Sequence, residues 1–264
     1  MQRNKLIKAL SQLLSPNGVK DYCPNGLQVE GKTEVKHIVT GVTASLALIE
    51  KAISLQADAI LVHHGYFWKN EAYNIVGMKK RRIQQLLAHD INLLAYHLPI
   101  DIHPEFGNNA QLAKVLGLKN VRPLENIEPL GIVMQGELPE PESHQAFSTR
   151  LSCALSRDIA SVGNKDSIQH LAWCTGGGQA YIDAFESLSG ESMENDTPVI
   201  DAFISGEISE QTTHSARELG IDYFAAGHHA TERYGVKAVG EYLAAEFGDS
   251  HGLKVSFVDI DNPA

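Results

Sequence analysis

The sequence predicts an α/β protein: two α/β domains whose mixed, largely parallel sheets are flanked by helices. Three observations predict it. Short apolar runs rich in β-branched residues recur at 37–42, 59–64 and 91–96, the pattern of strands buried on both faces. Segments with helical spacing separate them, so strand, helix and strand alternate as in right-handed parallel crossovers. The later half repeats a loose order of strand, small-residue turn, helix and strand, the outline of a structural duplication without clear self-similarity.

Residues 6–14 carry apolar positions at helical spacing, and Ser15-Pro16-Asn17-Gly18 closes that helix. Residues 21–31, with Pro24-Asn25-Gly26 as a turn, read as an irregular surface loop. After the strand at 37–42, Thr43 suits the cap of a helix over 44–55. The next strand starts at Ala59 and runs into His63-His64-Gly65. Adjacent strand side chains point to opposite faces, so both imidazoles serve one site only if the chain turns at His64, which Gly65 permits. Tyr66-Phe67-Trp68 follows, readable as a hydrophobic plug or as a pocket wall. A helix over 76–89 carries Lys79-Lys80-Arg81-Arg82, whose charges wrap around it and mostly face solvent. The strand at 91–96 ends in His97, and two prolines in 98–104 exclude a helix there. Asn108 or Asn109 caps a short helix through Leu116, closed by Gly117.

The pattern weakens over 123–129, which sets the expected domains: 1–125, joined by 227–264, and 126–226. In the second domain strands are expected at 130–138, 171–174, 199–205 and 221–226. A linker at 139–143 caps a helix to Ser156, and Ser209 opens a helix to Leu219. Thr175-Gly176-Gly177-Gly178 precedes a short helix through Phe185. It lacks the last glycine of a dinucleotide fingerprint, since Tyr181 stands there, and reads as a tight turn. Residues 187–198 read as a mobile loop. A final helix runs to about Phe247, and 255–260 closes a sheet.

With 264 residues, 43% of them hydrophobic, the core needs no disulfides. Cys23, Cys153 and Cys174 form no CxxC pair, which suits a reducing cytosol. No signal peptide or membrane span is evident, so a cytoplasmic location and no membrane partner are expected. A formal net charge of −10 counts against nucleic acid as a partner but leaves room for a small anionic substrate.

Three strand ends deliver ligand-type side chains: His63 and His64; His97, Asp101 and His103; His228, His229 and Glu232. In open α/β sheets, ligands bind at such ends. His228 and Glu232 are four apart and share a face if a helix begins there. Clustered imidazole and carboxylate suit zinc, manganese, iron, cobalt or nickel. Five or more ligands exceed one tetrahedral zinc and fit two bridged metals. His214 and Glu218 repeat the spacing mid-helix and read as surface. Gly248-Asp249-Ser250-His251-Gly252 matches a nucleophile elbow by letter but follows a helix, the wrong context.

Several stretches together resemble the Nif-three-like family, often labelled GTP cyclohydrolase 1 type 2 homologues. They are Val62-His63-His64-Gly65, Tyr96 through Asp101, Gly107-Asn108-Asn109 with Leu112-Ala113 and Leu116-Gly117-Leu118, Ser205-Gly206-Glu207, and Gly227 through Glu232. The likeness covers about 6–260 and resembles the short bacterial branch, without the inserted domain of longer members. It implies a toroidal homohexamer, a trimer of dimers, with two divalent metal ions per subunit. Carried over by position, the metal ligands are His63, His64, Asp101, His228 and Glu232, with Glu232 favoured over Asp101 as the bridge. His97 matches a histidine near the metals and is the candidate catalytic residue; His103 and His229 stay outside the ligand set. The expected function is metal-dependent hydrolysis of a nucleotide or related anionic heterocycle. The competing expectations are a non-catalytic metal-binding or assembly protein, and a ring around nucleic acid, which the acidic balance disfavours.

Overall fold

The computed structural model describes residues 1–125, 127–186 and 200–264. Along the chain lie α1 (Arg3–Leu14), β1 (Gly26–Val29), β2 (His37–Thr43), α2 (Leu46–Ser54), β3 (Ala59–His64), α3 (Gly77–Ala88), β4 (Asn92–Ala95) and α4 (Leu98–Asp101). Then come α5 (Asn108–Val115), β5 (Lys119–Pro123), β6 (Met134–Glu142), α6 (His144–Leu155), β7 (Ala160–Val162), β8 (Ile168–Cys174), β9 (Ala202–Ser205), α7 (Glu210–Leu219), β10 (Asp222–Ala225), α8 (His228–His251) and β11 (Lys254–Phe257). The residues divide into two compact units, Met1–Gly107 with Arg233–Asp261, and Asn108–Glu232 with Asn262–Ala264. The divisions thus follow Gly107 and Glu232 rather than 125 and 226. Membership is set by pairing and not by where the apolar pattern weakens, and β5 pairs with β6 of the second unit. No described helix is long and apolar enough to cross a membrane.

In the first unit the described strands run β1-β4-β3-β2-β11. All neighbours are parallel except β1 and β4. Alternation along the central strand sorts its side chains to two cores. Ala59 and Leu61 join Leu6, Leu10, Val236 and Leu243 on one face. Ile60 and Val62 join Leu48, Ile49, Ile83 and Leu86 on the other. Both faces are covered by helices, which is why the strand reads as an unbroken apolar run.

Three local expectations change here. The segment read as surface loop contains the edge strand β1, whose register shifts between Leu27 and Val29; four residues are too few to show alternation. Ser45, not Thr43, caps α2, its hydroxyl accepting from Leu48 N at 3.2 Å. Leu98–Asp101 is helical despite its proline, because Pro99 occupies the first turn, where no N–H is needed. That turn carries Asp101 back towards β3.

In the second unit the described order is β5-β6-β8-β9-β10-β7, with β8, β9 and β10 mutually parallel and the outer pairings antiparallel. β5 and β7 escaped the sequence reading because they are exposed edge strands without an apolar face. Pro139 and Pro141, expected in a linker, end β6 beyond a register irregularity, where a missing N–H costs least. Ser143 caps α6 as expected. The segment after the glycine turn is a 3-10 helix, Gln179–Ala184. The expected loop at 187–198 and the start of the strand expected at 199 lie outside the described residues.

Candidate metal centre

In the first unit, β3 and the exit from β4 bring four sequence-predicted side chains together. His63 is fully buried, and its Nδ1–H donates to Tyr96 O at 3.2 Å. That leaves Nε2 facing Asp101 Oδ1 at 3.4 Å. The His64 ring lies 4.4 Å from that of His63, and its Nδ1 is 3.3 Å from Thr43 Oγ1. His97 completes the group, with ring centroids 5.0 Å from His63 and 5.8 Å from His64. His63, His64 and His97 each place a ligand nitrogen within 4.8 Å of the others. Gly65 is required, though not for a left-handed turn: a Cβ there would meet the Ala95 Cβ at 2.5 Å and collide with the Gln28 amide. The aromatic cluster divides its roles. Tyr66 is a plug, buried with its hydroxyl donating to Ala44 O at 2.7 Å. Trp68 is a wall, its ring edge-on to His97 at 4.9 Å.

Asp21, a residue sequence reasoning passed over, accepts from His97 Nδ1 at 2.7 Å. Burial raises its pKa, but hydrogen bonds from His97 and Asn25 outweigh this and hold the carboxyl below its ordinary value. Nearby Cys23 belongs to a group with Asp21 and His97. Its thiol is pushed up to about 12 by burial and by the Asp21 charge, so at neutral pH it is a protonated, poor ligand.

In the second unit, the first turn of α8 presents His228 and Glu232 on one face, Nε2 to Oε2 at 3.2 Å. His228 Nδ1 meets Glu207 Oε1 at 2.7 Å, just past the end of β9. Burial lowers the His228 pKa, but Glu232 and Glu207 more than offset it and raise it to about 9. A cation arriving at this imidazole therefore displaces a proton. Applying the strand-end rule to β9 would have found Glu207, which was noticed only as part of a resemblance.

The glycine turn after β8 explains itself against these residues. Gly176 has φ +64°; a Cβ there would collide with the Glu232 carboxylate and lie 3.2 Å from His228 Nε2. Gly176 N donates to Thr231 Oγ1 at 3.0 Å, and Gly206 N to Gly176 O at 2.8 Å, pinning the turn beside α8. The cradle is thus kept clear of side chains around an imidazole and a buried carboxylate. That donor set fits a divalent transition ion, as does the His63–Asp101 pairing.

His103 has a local role. His103 Nδ1 accepts from Glu105 N and Phe106 N at 3.2 and 3.0 Å, and burial lowers its pKa. His214 and Glu218 are exposed on α7, as expected of a decoy.

Comparison with known proteins adds an independent line. The family model described as Duf34/NIF3 (NGG1p interacting factor 3) matches residues 1–263. A Vibrio cholerae protein named "GTP cyclohydrolase 1 type 2 homolog" is 54% identical over 266 residues, covering 100% of both chains. A solved structure described as "protein ybgI, unknown function" is 47% identical, with TM-score 0.89 over 100% of both chains. The crystal structure of TTHA1606 from Thermus thermophilus is 32% identical, with TM-score 0.83 and the same full coverage.

Proposed function

This chain belongs to the Duf34/NIF3 family, and from that premise we propose a metal-dependent hydrolase that uses two divalent cations per chain on a nucleotide or related anionic heterocycle. The name carried by its relatives makes GTP the first substrate to try. The observation that carries the reading is the pairing of imidazole with buried carboxylate at His63–Asp101 and His228–Glu232, the latter beside a glycine kept free of a side chain.

His63, His64, Asp101, His228 and Glu232 would hold the cations. When bound, such ions lower the pKa of water to about 7 and offset charge on the attacked group. The protein's own residues supply the rest. His97 sits beside His63 and His64 and serves as proton shuttle, since an imidazole can take a proton at one ring nitrogen and return it. Trp68 stands nearly perpendicular to the His97 ring at 4.9 Å and walls that side of the site. Glu207 holds His228 Nδ1, orienting the ring so that Nε2 turns to Glu232.

The test combines elemental analysis with turnover of GTP and a nucleotide panel by the metal-loaded protein. The expected result is two cations per chain, with His63→Ala and Glu232→Ala each losing cation and at least about 100-fold in turnover. Equal activity in all three proteins would end the enzymatic claim, and full loading without turnover would favour the non-catalytic metal-binding reading. A homohexamer is proposed with it. Exposed Tyr73, Ile75, Val76, Met78 and Leu87 support self-association. Light scattering at the mass of a 28.8 kDa monomer would remove that part.

A further inference from the structure

Asp21 lies before β1 with its side chain 4% exposed, and four donors converge on its carboxylate. Oδ1 accepts from Tyr22 N at 2.6 Å and His97 Nδ1 at 2.7 Å. Oδ2 accepts from Asn25 Nδ2 at 2.9 Å and Leu98 N at 3.0 Å. The same loop holds the histidine's backbone, since Asn25 Oδ1 accepts from His97 N at 2.7 Å. Trp68 packs edge-on against the ring at 4.9 Å, and Tyr22 approaches it edge-on at 6.5 Å. An ionised carboxylate only accepts hydrogen bonds, so His97 Nδ1 must carry a proton. In the neutral ring the lone pair then resides on Nε2.

We propose that Asp21 is the positioning residue of the first-unit site: it fixes His97 as the Nδ1–H tautomer and presents the Nε2 lone pair to the His63–His64 side. In the resting site His97 Nε2 is then a proton acceptor, the state from which the shuttle starts, and not a hydrogen-bond donor. The inference rests on the metal-dependent reading for its purpose, but the tautomer itself is a property of the folded chain. Asparagine at this position is the informative change. It keeps the shape, yet offers one acceptor oxygen to four donors and adds an N–H of its own. In a triad of the same logic, that exchange yields the wrong tautomer.

The experiment is long-range proton–nitrogen NMR on the full-length 15N-labelled protein, with and without added zinc, His97 being assigned by its loss in His97→Gln. Without zinc, wild type should show a pyrrole-like Nδ1 and a pyridine-like Nε2. Asp21→Asn should move the ring to the opposite tautomer or an average, and Asp21→Glu should restore the original pattern. A wild-type Nε2–H ring would overturn the proposal, and so would an unchanged tautomer in Asp21→Asn that keeps its circular dichroism. With His97 assigned, the wild-type spectrum decides even if the Asp21 variants fail to fold. If GTP or another nucleotide is turned over, Asp21→Asn should lower kcat by roughly 10²–10⁴-fold with KM nearly unchanged. The double variant with His97→Gln should be no slower than His97→Gln alone. Absence of any turnover would remove the hydrolase reading while the nitrogen shifts still judged Asp21.

Discussion

Gly176 shows how much can rest on a missing side chain. Its left-handed backbone disfavours any Cβ, and the space a Cβ would take belongs to Glu232 and His228. Gly176→Ala should therefore push the Glu232 carboxylate from its place and weaken zinc binding by roughly 10–100-fold, the usual cost of disturbing a ligand's support. Calorimetric titration would measure this, and an unchanged Kd would contradict it. The sequence offered Gly176 only as part of a tight turn, because the residues it approaches lie far along the chain, as Thr231 does at 55 positions. Asp21 was missed for the same reason: 76 residues separate it from His97. His63, Asp101, His228 and Glu232 were legible because ligand-type side chains clustered at strand ends and beside glycines.

At the level of elements, the parallel strands explain both where ligands gather and what anchors the opposite end of the sheet. Asp58, just before β3, accepts from Lys36 N at 2.9 Å and His37 N at 3.1 Å, and pairs with Lys32 at 2.7 Å. Burial raises its pKa, but Lys32 and the two backbone N–H groups more than offset this and leave it below its ordinary value. A carboxyl with a lowered folded pKa adds stability above its unfolded pKa, and that stability is lost as pH falls through the folded value. Asp58→Asn should thus cost about 1–3 kcal/mol at pH 7. The gap to wild type should shrink as pH drops below about 4, where the unfolded aspartate starts to protonate. Urea midpoints at pH 7 and pH 3 would show it, and a gap independent of pH would refute it. The elements that went unread, β1, β5 and β7, are short edge strands, held by pairing partners and not by an apolar pattern of their own.

For the whole molecule, ligands that bind only the folded chain stabilise it by mass action. Zinc at 100 times its Kd should add about 2.7 kcal/mol, raising Tm, and a chelator should reverse the gain. Calorimetric scans with no shift would count against cation binding as a whole. The amino-acid order alone determined the alternation of buried strands and helices, the family resemblance and the strand ends that bear imidazole and carboxylate, since these are local patterns of period and composition. Only the tertiary structure decided that one turn of helix returns Asp101 to His63, that Asp21 grips His97, that Glu207 holds His228, and that Gly176 must stay bare. Each of these is a contact across the chain, and a contact of that kind leaves no periodic trace in the residues that make it.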